Sequence, residues 1–119
     1  MKGEEKMEDK LRGRYDKAHH AREELPDEVK NLYEAIAWHL EGAGILSNLD
    51  IDLIEMTAYS IYRMRQAREA LDKEGLLIKD GEKFIKNPAT NIEKDYQKMF
   101  WQGCAQLGLS PVSRAKLSK

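Results

Sequence analysis

Residues 47–75 read SNLDIDLIEMTAYSIYRMRQAREALDKEG, and this stretch decides the fold. Ser47 followed by Asp50 has the form of a capping box, in which the serine oxygen is offered to a free backbone N–H and the carboxylate reaches back. No Gly or Pro interrupts the roughly 27 residues that follow the serine, to about Glu74, and at ~1.5 Å per residue they make a helix of about 40 Å. Leu53, Thr57, Ser60, Met64, Ala67 and Leu71 fall on one line of that helix, and Ile54, Ala58 and Ile61 on a second line about a third of a turn away. The first half is therefore expected to be buried on a wide arc and the second half on a narrow one. Gly75 supplies the left-handed residue with which such a helix ends.

Upstream, the Leu25-Pro26-Asp27 step opens another helix, because proline disfavours helical geometry in the residue before it and Asp27 suits the positive end of the helix dipole. Val29, Leu32, Tyr33, Ile36 and Leu40 keep the spacing of one buried stripe, and Gly42 and Gly44 end it. Residues 1–24 mix both charges and hold few apolar anchors, which predicts a flexible or helical arm. Downstream, residues 76–86 read as a short hairpin about Asp80-Gly81, a pair that tolerates the positive φ values of a two-residue turn. Asn87-Pro88 then starts a helix, with asparagine as N-cap and proline where an N–H would be unpaired anyway. Ile92, Tyr96, Met99, Phe100, Gly103 and Leu107 mark its apolar face, Gly108 stops it, and Ser110-Pro111 caps a short terminal helix. The expected architecture is all-α, with long antiparallel helices and one short β-hairpin. Its parts are an arm at 1–24, a core at 25–109 and a basic segment at 110–119.

The 119 residues carry 20 Lys+Arg against 21 Asp+Glu, a formal charge of −1. A length below ~150 residues argues for one core. The single Cys104 leaves no internal disulfide and no multi-cysteine zinc site. No run of ~18 apolar residues occurs and the first residues lack the apolar centre of a secretory signal, so membrane insertion and secretion are disfavoured. Divided along the chain, the charge is uneven: residues 26–50 hold one basic and five acidic groups, and residues 101–119 hold three basic and none acidic. A nearly neutral monomer is a poor nonspecific ligand for DNA, whose affinity comes from counterion release. DNA contact would need locally placed charges, or weak charges repeated in an oligomer.

Enzyme chemistry finds no support in the motifs. There is no HExxH, GxSxG, GxxxxGK[ST] or GxGxxG, and no cofactor or metal is implied. His19, His20 and Glu23 fit a solvated arm better than a metal site, which needs three or four fixed ligands. Cys104 lies by an apolar stripe, where cysteine acts as a small hydrophobe. Trp38 falls about 180° from Val29, and Trp101 about 180° from Ile92, so each stands opposite its helix's main stripe. That is expected of a subunit interface, the alternative being an arm folded back over them. Lys79, Lys83 and Lys86 on the hairpin, with Arg12, Arg14, Lys17 and Arg22 in the arm, are candidates for DNA contact; lysines on an exposed strand also guard its edge. Arg63, Arg65 and Arg68 are better explained as a solvated face, with Arg65–Glu69 and Arg68–Asp72 as i, i+4 pairs.

One family is suggested by several of these features in order: LxxxGxL-S-x-x-D, the helix ending ALDKEGLLI, then KNPATNI, and finally LGLSPVSRAKL at Leu107–Leu117. From Leu25 to Leu117 the chain resembles the small subunit of phage terminases, specifically the family that closes on Leu-Gly-Leu-(Ser/Thr)-Pro-x-Ser-Arg-x-(Lys/Arg)-Leu. The motif positions are Ser47, Asp50, Gly75, Leu76, Asn87, Pro88, Gly108, Leu109, Ser110, Pro111, Ser113 and Arg114. Most are explained as caps and turns, whereas Ser113 and Arg114 are underused by folding. Unlike the Gly/Pro/Lys-rich leader expected of many relatives, the first residues here are mixed in charge.

The resemblance implies a noncatalytic packaging factor that assembles into a ring, binds the viral packaging site and recruits the large subunit, which carries the ATPase and nuclease. Relatives also work beside a phage-encoded HNH nuclease. The expected location is the cytoplasm of the infected or lysogenic host. Ser110, Pro111, Ser113, Arg114 and Lys116 are expected to meet the large subunit or DNA, and Trp38 and Trp101 a neighbouring copy. The competing readings are a helical transcription regulator with a wing-like hairpin and a protein-only adaptor.

Overall fold

The computed structural model describes residues 15–119. Its elements in chain order are α1 (Tyr15–His19), α2 (Asp27–Gly42), a 3₁₀ turn (Asn48–Asp50), α3 (Ile51–Glu74), β1 (Leu77–Asp80), β2 (Lys83–Lys86), α4 (Ala89–Leu107) and α5 (Pro111–Leu117). The expected helical architecture with one hairpin is what forms.

Pro26 is extended at ψ 146° while its carbonyl already accepts the first turn's Lys30 N–H at 2.9 Å, so α2 begins where the proline allows it. Val29, Leu32, Tyr33, Ile36 and Leu40 are all buried. Gly44, not Gly42, terminates the helix. With Gly44 at φ +73°, the Gly44 N–H donates to Glu41 O and the Ile45 N–H to Leu40 O, the paired bonds of a Schellman motif. The same pairing recurs at the end of α4, where Gly108 (φ +82°) donates to Ala105 O and Leu109 to Cys104 O.

Ser47 caps as expected, its Oγ accepting the Leu49 N–H at 3.1 Å, but the helix it opens is the 3₁₀ turn and α3 follows from Ile51. No hydrogen bond returns from the Asp50 carboxylate to Ser47, so only half of the capping box is made. Along α3 the buried positions are Ile54, Thr57, Ala58, Ser60, Ile61, Met64 and Ala67: two lines in the first half narrow to one in the second. The buried hydroxyls are satisfied within the helix, Thr57 Oγ1 donating to Leu53 O and Ser60 Oγ to Thr57 O. Gly75 has φ +87° with ψ 173°, outside the left-handed helical well and in a region open essentially to glycine alone.

The helices run antiparallel, as the cross-contacts show. Glu28 of α2 pairs with Arg65 near the far end of α3. On α4, Gly103 lies against Thr57 and Glu93 pairs with Arg68, so ten residues down one helix match eleven up the other. Gly103 lets α3 and α4 approach closely: a Cβ there would overlap Thr57 Oγ1 and stand 3.1 Å from Thr57 Cβ. Phe100, Cys104 and Leu107 complete the core from α4, and Ala18, Leu25, Leu46 and Leu117 close its ends. The apolar face expected on α4 is only half buried, because Ile92 and Met99 are exposed. The arm expected at residues 1–24 is helical at Tyr15–His19, and Ala18 is fully buried there.

Candidate nucleic-acid interface

The hairpin is fixed at its base by one side chain. Asn87, almost fully buried, donates its backbone N–H to Leu76 O at 2.7 Å and its Nδ2 to Gly75 O at 2.9 Å. Its Oδ1 accepts the Ala89 N–H at 3.0 Å, and its carbonyl accepts Thr90 Oγ1 at 2.8 Å. The asparagine therefore caps α4 as expected and also ties the end of α3 to the start of α4. Pro88 takes helical angles without needing a donor partner.

Beyond this base the strands pair Leu77 with Lys86, Ile78 with Ile85, Lys79 with Phe84 and Asp80 with Lys83. The two turn residues are thus Gly81 and Glu82, one position later than the Asp80-Gly81 turn expected. Gly81 alone takes positive φ (+65°), as in a two-residue turn with glycine at its first central position. Opposite residues share a face and successive residues alternate. The register thus puts Lys79 and Lys86 on one face with Leu77 and Phe84, and puts Lys83 on the other with Ile78, Asp80 and Ile85. The three candidate lysines are exposed but do not form one patch. None makes an ion pair with a described residue; Lys86 Nζ donates to the neutral Asn91 Oδ1 at 3.2 Å.

The arm residues divide differently. Arg12 and Arg14 lie outside the described residues. Lys17 is exposed. Arg22 is committed to Glu55 of α3, its Nε at 2.7 Å from Oε1 and its Nη2 at 3.2 Å from Oε2, a bidentate pair that raises the already high guanidinium pKa. His19 Nε2 meets Glu41, which brings α1 onto α2. No group of three or more His, Cys, Asp or Glu among the described residues is placed to hold a metal.

Two of the three α3 arginines reach other helices, and the expected i, i+4 pairs do not form. Arg65 reaches Glu28 at 3.2 Å and Arg68 reaches Glu93 at 3.7 Å. Arg63 lies over the Tyr59 and Tyr62 rings at 5.8 and 5.2 Å and bonds Gln66. Packing brought α2 and α4 within reach, and spacing along one helix carries no information about that.

At the C-terminal end, Ser110 Oγ accepts the Ser113 N–H at 3.1 Å and bonds Ser113 Oγ, with Pro111 in the first turn of α5. Arg114 lies over the Trp101 ring, 5.9 Å from its centroid, a cation–π contact. Ser113 and Arg114 are therefore used in folding, contrary to expectation. Val112 and Lys116 are exposed, while Leu117 anchors the helix in the core. Trp38 is 70% exposed and Trp101, beneath Arg114, is still 50% exposed. The Cys104 thiol is buried and pushed up to about 11 by loss of solvent, against the opposing charge of Arg114.

These features define a class: an α-helical module whose unpaired charges and largest exposed aromatics stand on open surfaces. A family model described as phage terminase, small subunit, matches residues 30–119, and the chain belongs to that family. Membership gives it a role in phage DNA packaging. No curated protein and no solved structure matches the chain. No described helix is long and apolar enough to cross a membrane.

Proposed function

We propose that this chain is the noncatalytic DNA-recognition subunit of a phage packaging machine. It binds the viral packaging site and recruits and regulates the large subunit that carries the ATPase and nuclease. The observation that carries this reading is the family match across residues 30–119. The disposition of charge supports it: the hairpin lysines have no carboxylate partner, and Arg114, Lys116 and Lys119 follow a C-terminal stretch free of acidic residues. The chain works as a homo-oligomeric ring in the cytoplasm of the bacterial host, joined through faces that include Trp38 and Trp101. Repetition around the ring turns one or two weak phosphate contacts per copy into useful affinity. The tail from Ser110 to Lys116 meets the large subunit or DNA, and an HNH nuclease acts alongside.

Retention of phage genomic fragments by the purified chain, measured across a salt series, tests the DNA half of this proposal. Wild type should retain a discrete fragment with a steep salt dependence, and Lys79→Ala/Lys83→Ala/Lys86→Ala should flatten that dependence and weaken binding. Retention of no fragment at low salt, alongside tight binding to an ATPase partner, would select the adaptor reading instead.

A further inference from the structure

The strand register sorts the hairpin into two chemically different faces. One carries Lys79 and Lys86 around Phe84, with Leu77 and without a carboxylate; the other sets Lys83 beside Asp80. The apolar residues of the first face are the more exposed, Phe84 at 69% and Leu77 at 60%, whereas Ile78 on the second is half-buried and Ile85 39% exposed; Lys86 of the first face also donates to Asn91 of α4. An isolated two-stranded hairpin is marginal in water, and this one spends its largest side chain on the outward face, so that ring adds little to folding.

Resting on the packaging-site reading above, we propose that Phe84 stacks on a nucleobase of the bound DNA while Lys79 and Lys86 hold the adjoining phosphates. Lys79 lies directly across from Phe84, about 5 Å between Cβ atoms, and Lys86 lies two residues along the strand, about 7 Å away. Two cationic heads on long stems therefore bracket one aromatic ring. Aromatic rings flanked by cations recognise nucleic acid in two related ways: by stacking an unpaired base, or by entering a base step of a duplex and opening it. Both use the same ring face and the same charges. The absence of a carboxylate from this face favours a phosphate-bearing partner over a cationic surface, and Lys83 takes no part because it stands on the other side.

The test uses the full chain and the phage genomic fragment that it retains, labelled with 2-aminopurine and presented as a duplex and as single strands. Phe84→Ala should weaken binding roughly ten-fold with the salt slope unchanged, as expected for loss of one base–aromatic stack, and Phe84→Trp should restore it. Lys79→Ala/Lys86→Ala should instead lower the slope of log K against log salt by about 2 per contacting copy. Lys83→Ala should leave both quantities near wild type. A rise in 2-aminopurine emission on the duplex, lost in Phe84→Ala, identifies an opened base step, and quenching on the single strand identifies a stacked unpaired base. Unchanged affinity of Phe84→Ala for a fragment the wild type retains overturns the stacking role and leaves the packaging reading standing. Affinity that falls only as far as the assembly mass falls in native mass spectrometry overturns it as well, because the face is then occupied by a second copy. If the wild type retains no fragment, both readings fail together.

Discussion

Gly103 and Thr57 show what a single atom decides. The helices α3 and α4 approach so closely there that a methyl group on Gly103 has no room. Gly103→Ala should destabilise the fold by about 1–3 kcal/mol through overpacking, seen as a lower midpoint in thermal unfolding. Adding Thr57→Ala, which removes the overlapped hydroxyl, should recover part of the loss. Two buried titratable groups make a second prediction. Tyr33, whose hydroxyl is buried without a partner, is pushed up to about 12 by loss of solvent, with the charges of Glu55 and Asp52 adding to it, and Cys104 is pushed up to about 11. About one pH unit or more below the ordinary thiol value of about 8.5, both are protonated whether the chain is folded or not, so their effect on stability does not vary. As pH rises further, the unfolded chain ionises first and holds fewer protons, so stability falls progressively towards the folded values. Thermal midpoints measured from pH 8 upwards should therefore drop, and Cys104→Ala should flatten the part of the decline nearest pH 9 to 11. The Arg22–Glu55 pair, more than half exposed on the arginine side, is screened by solvent, and Arg22→Ala should barely move the midpoint.

Among the elements, the hairpin depends most on one residue. Asn87 satisfies Leu76 O and Gly75 O on one side and the Ala89 N–H on the other, so Asn87→Ala removes a helix cap and leaves the Gly75 carbonyl without that donor. A loss of about 1–3 kcal/mol is expected, with faster hydrogen exchange at Ala89 and through the β1–β2 ladder. Asn87→Asp keeps the cap acceptor but sets a buried carboxylate oxygen against the Gly75 carbonyl, so it should not recover the loss. Element boundaries were legible because they rest on local chemistry: Pro26, Gly44, Asn87-Pro88, Gly108 and Ser110-Pro111 each act within a few residues of themselves. The turn lies one residue beyond Asp80-Gly81, since Asp80-Gly81 and Gly81-Glu82 both contain the glycine and only the pairing of strands chooses between them. That shift leaves the lysines on the strands but determines which of them share a face.

At the scale of the molecule, Trp38 and Trp101 stay on open surface while the core closes without them. If the ring reading holds, native mass spectrometry of the full chain should give a cyclic assembly, and Trp38→Ala or Trp101→Ala should reduce it to smaller species without unfolding the protomer. A strict monomer at micromolar concentration would count against the ring. Arg114 stacks on Trp101, so Arg114→Ala should disturb α5 as well as remove a charge, whereas Lys116→Ala removes charge alone. Comparing the two for binding to the large subunit separates a folding contribution from a contact.

The helices, most of their caps, the hairpin and the buried stripe of α2 follow from spacings of a few residues, and the family from a match that runs along residues 30–119. The tertiary structure decided which charges remain available. Arg22, Arg65 and Arg68 read as free or locally paired, yet each found a carboxylate more than twenty residues away. Ile92 and Met99 kept the helical period of a buried face, but no described residue buries them. The candidate lysines likewise differ only through strand register. Charge pairing and burial depend on which elements meet, and the contacts that settle them are too far apart in the chain for periodicity to carry.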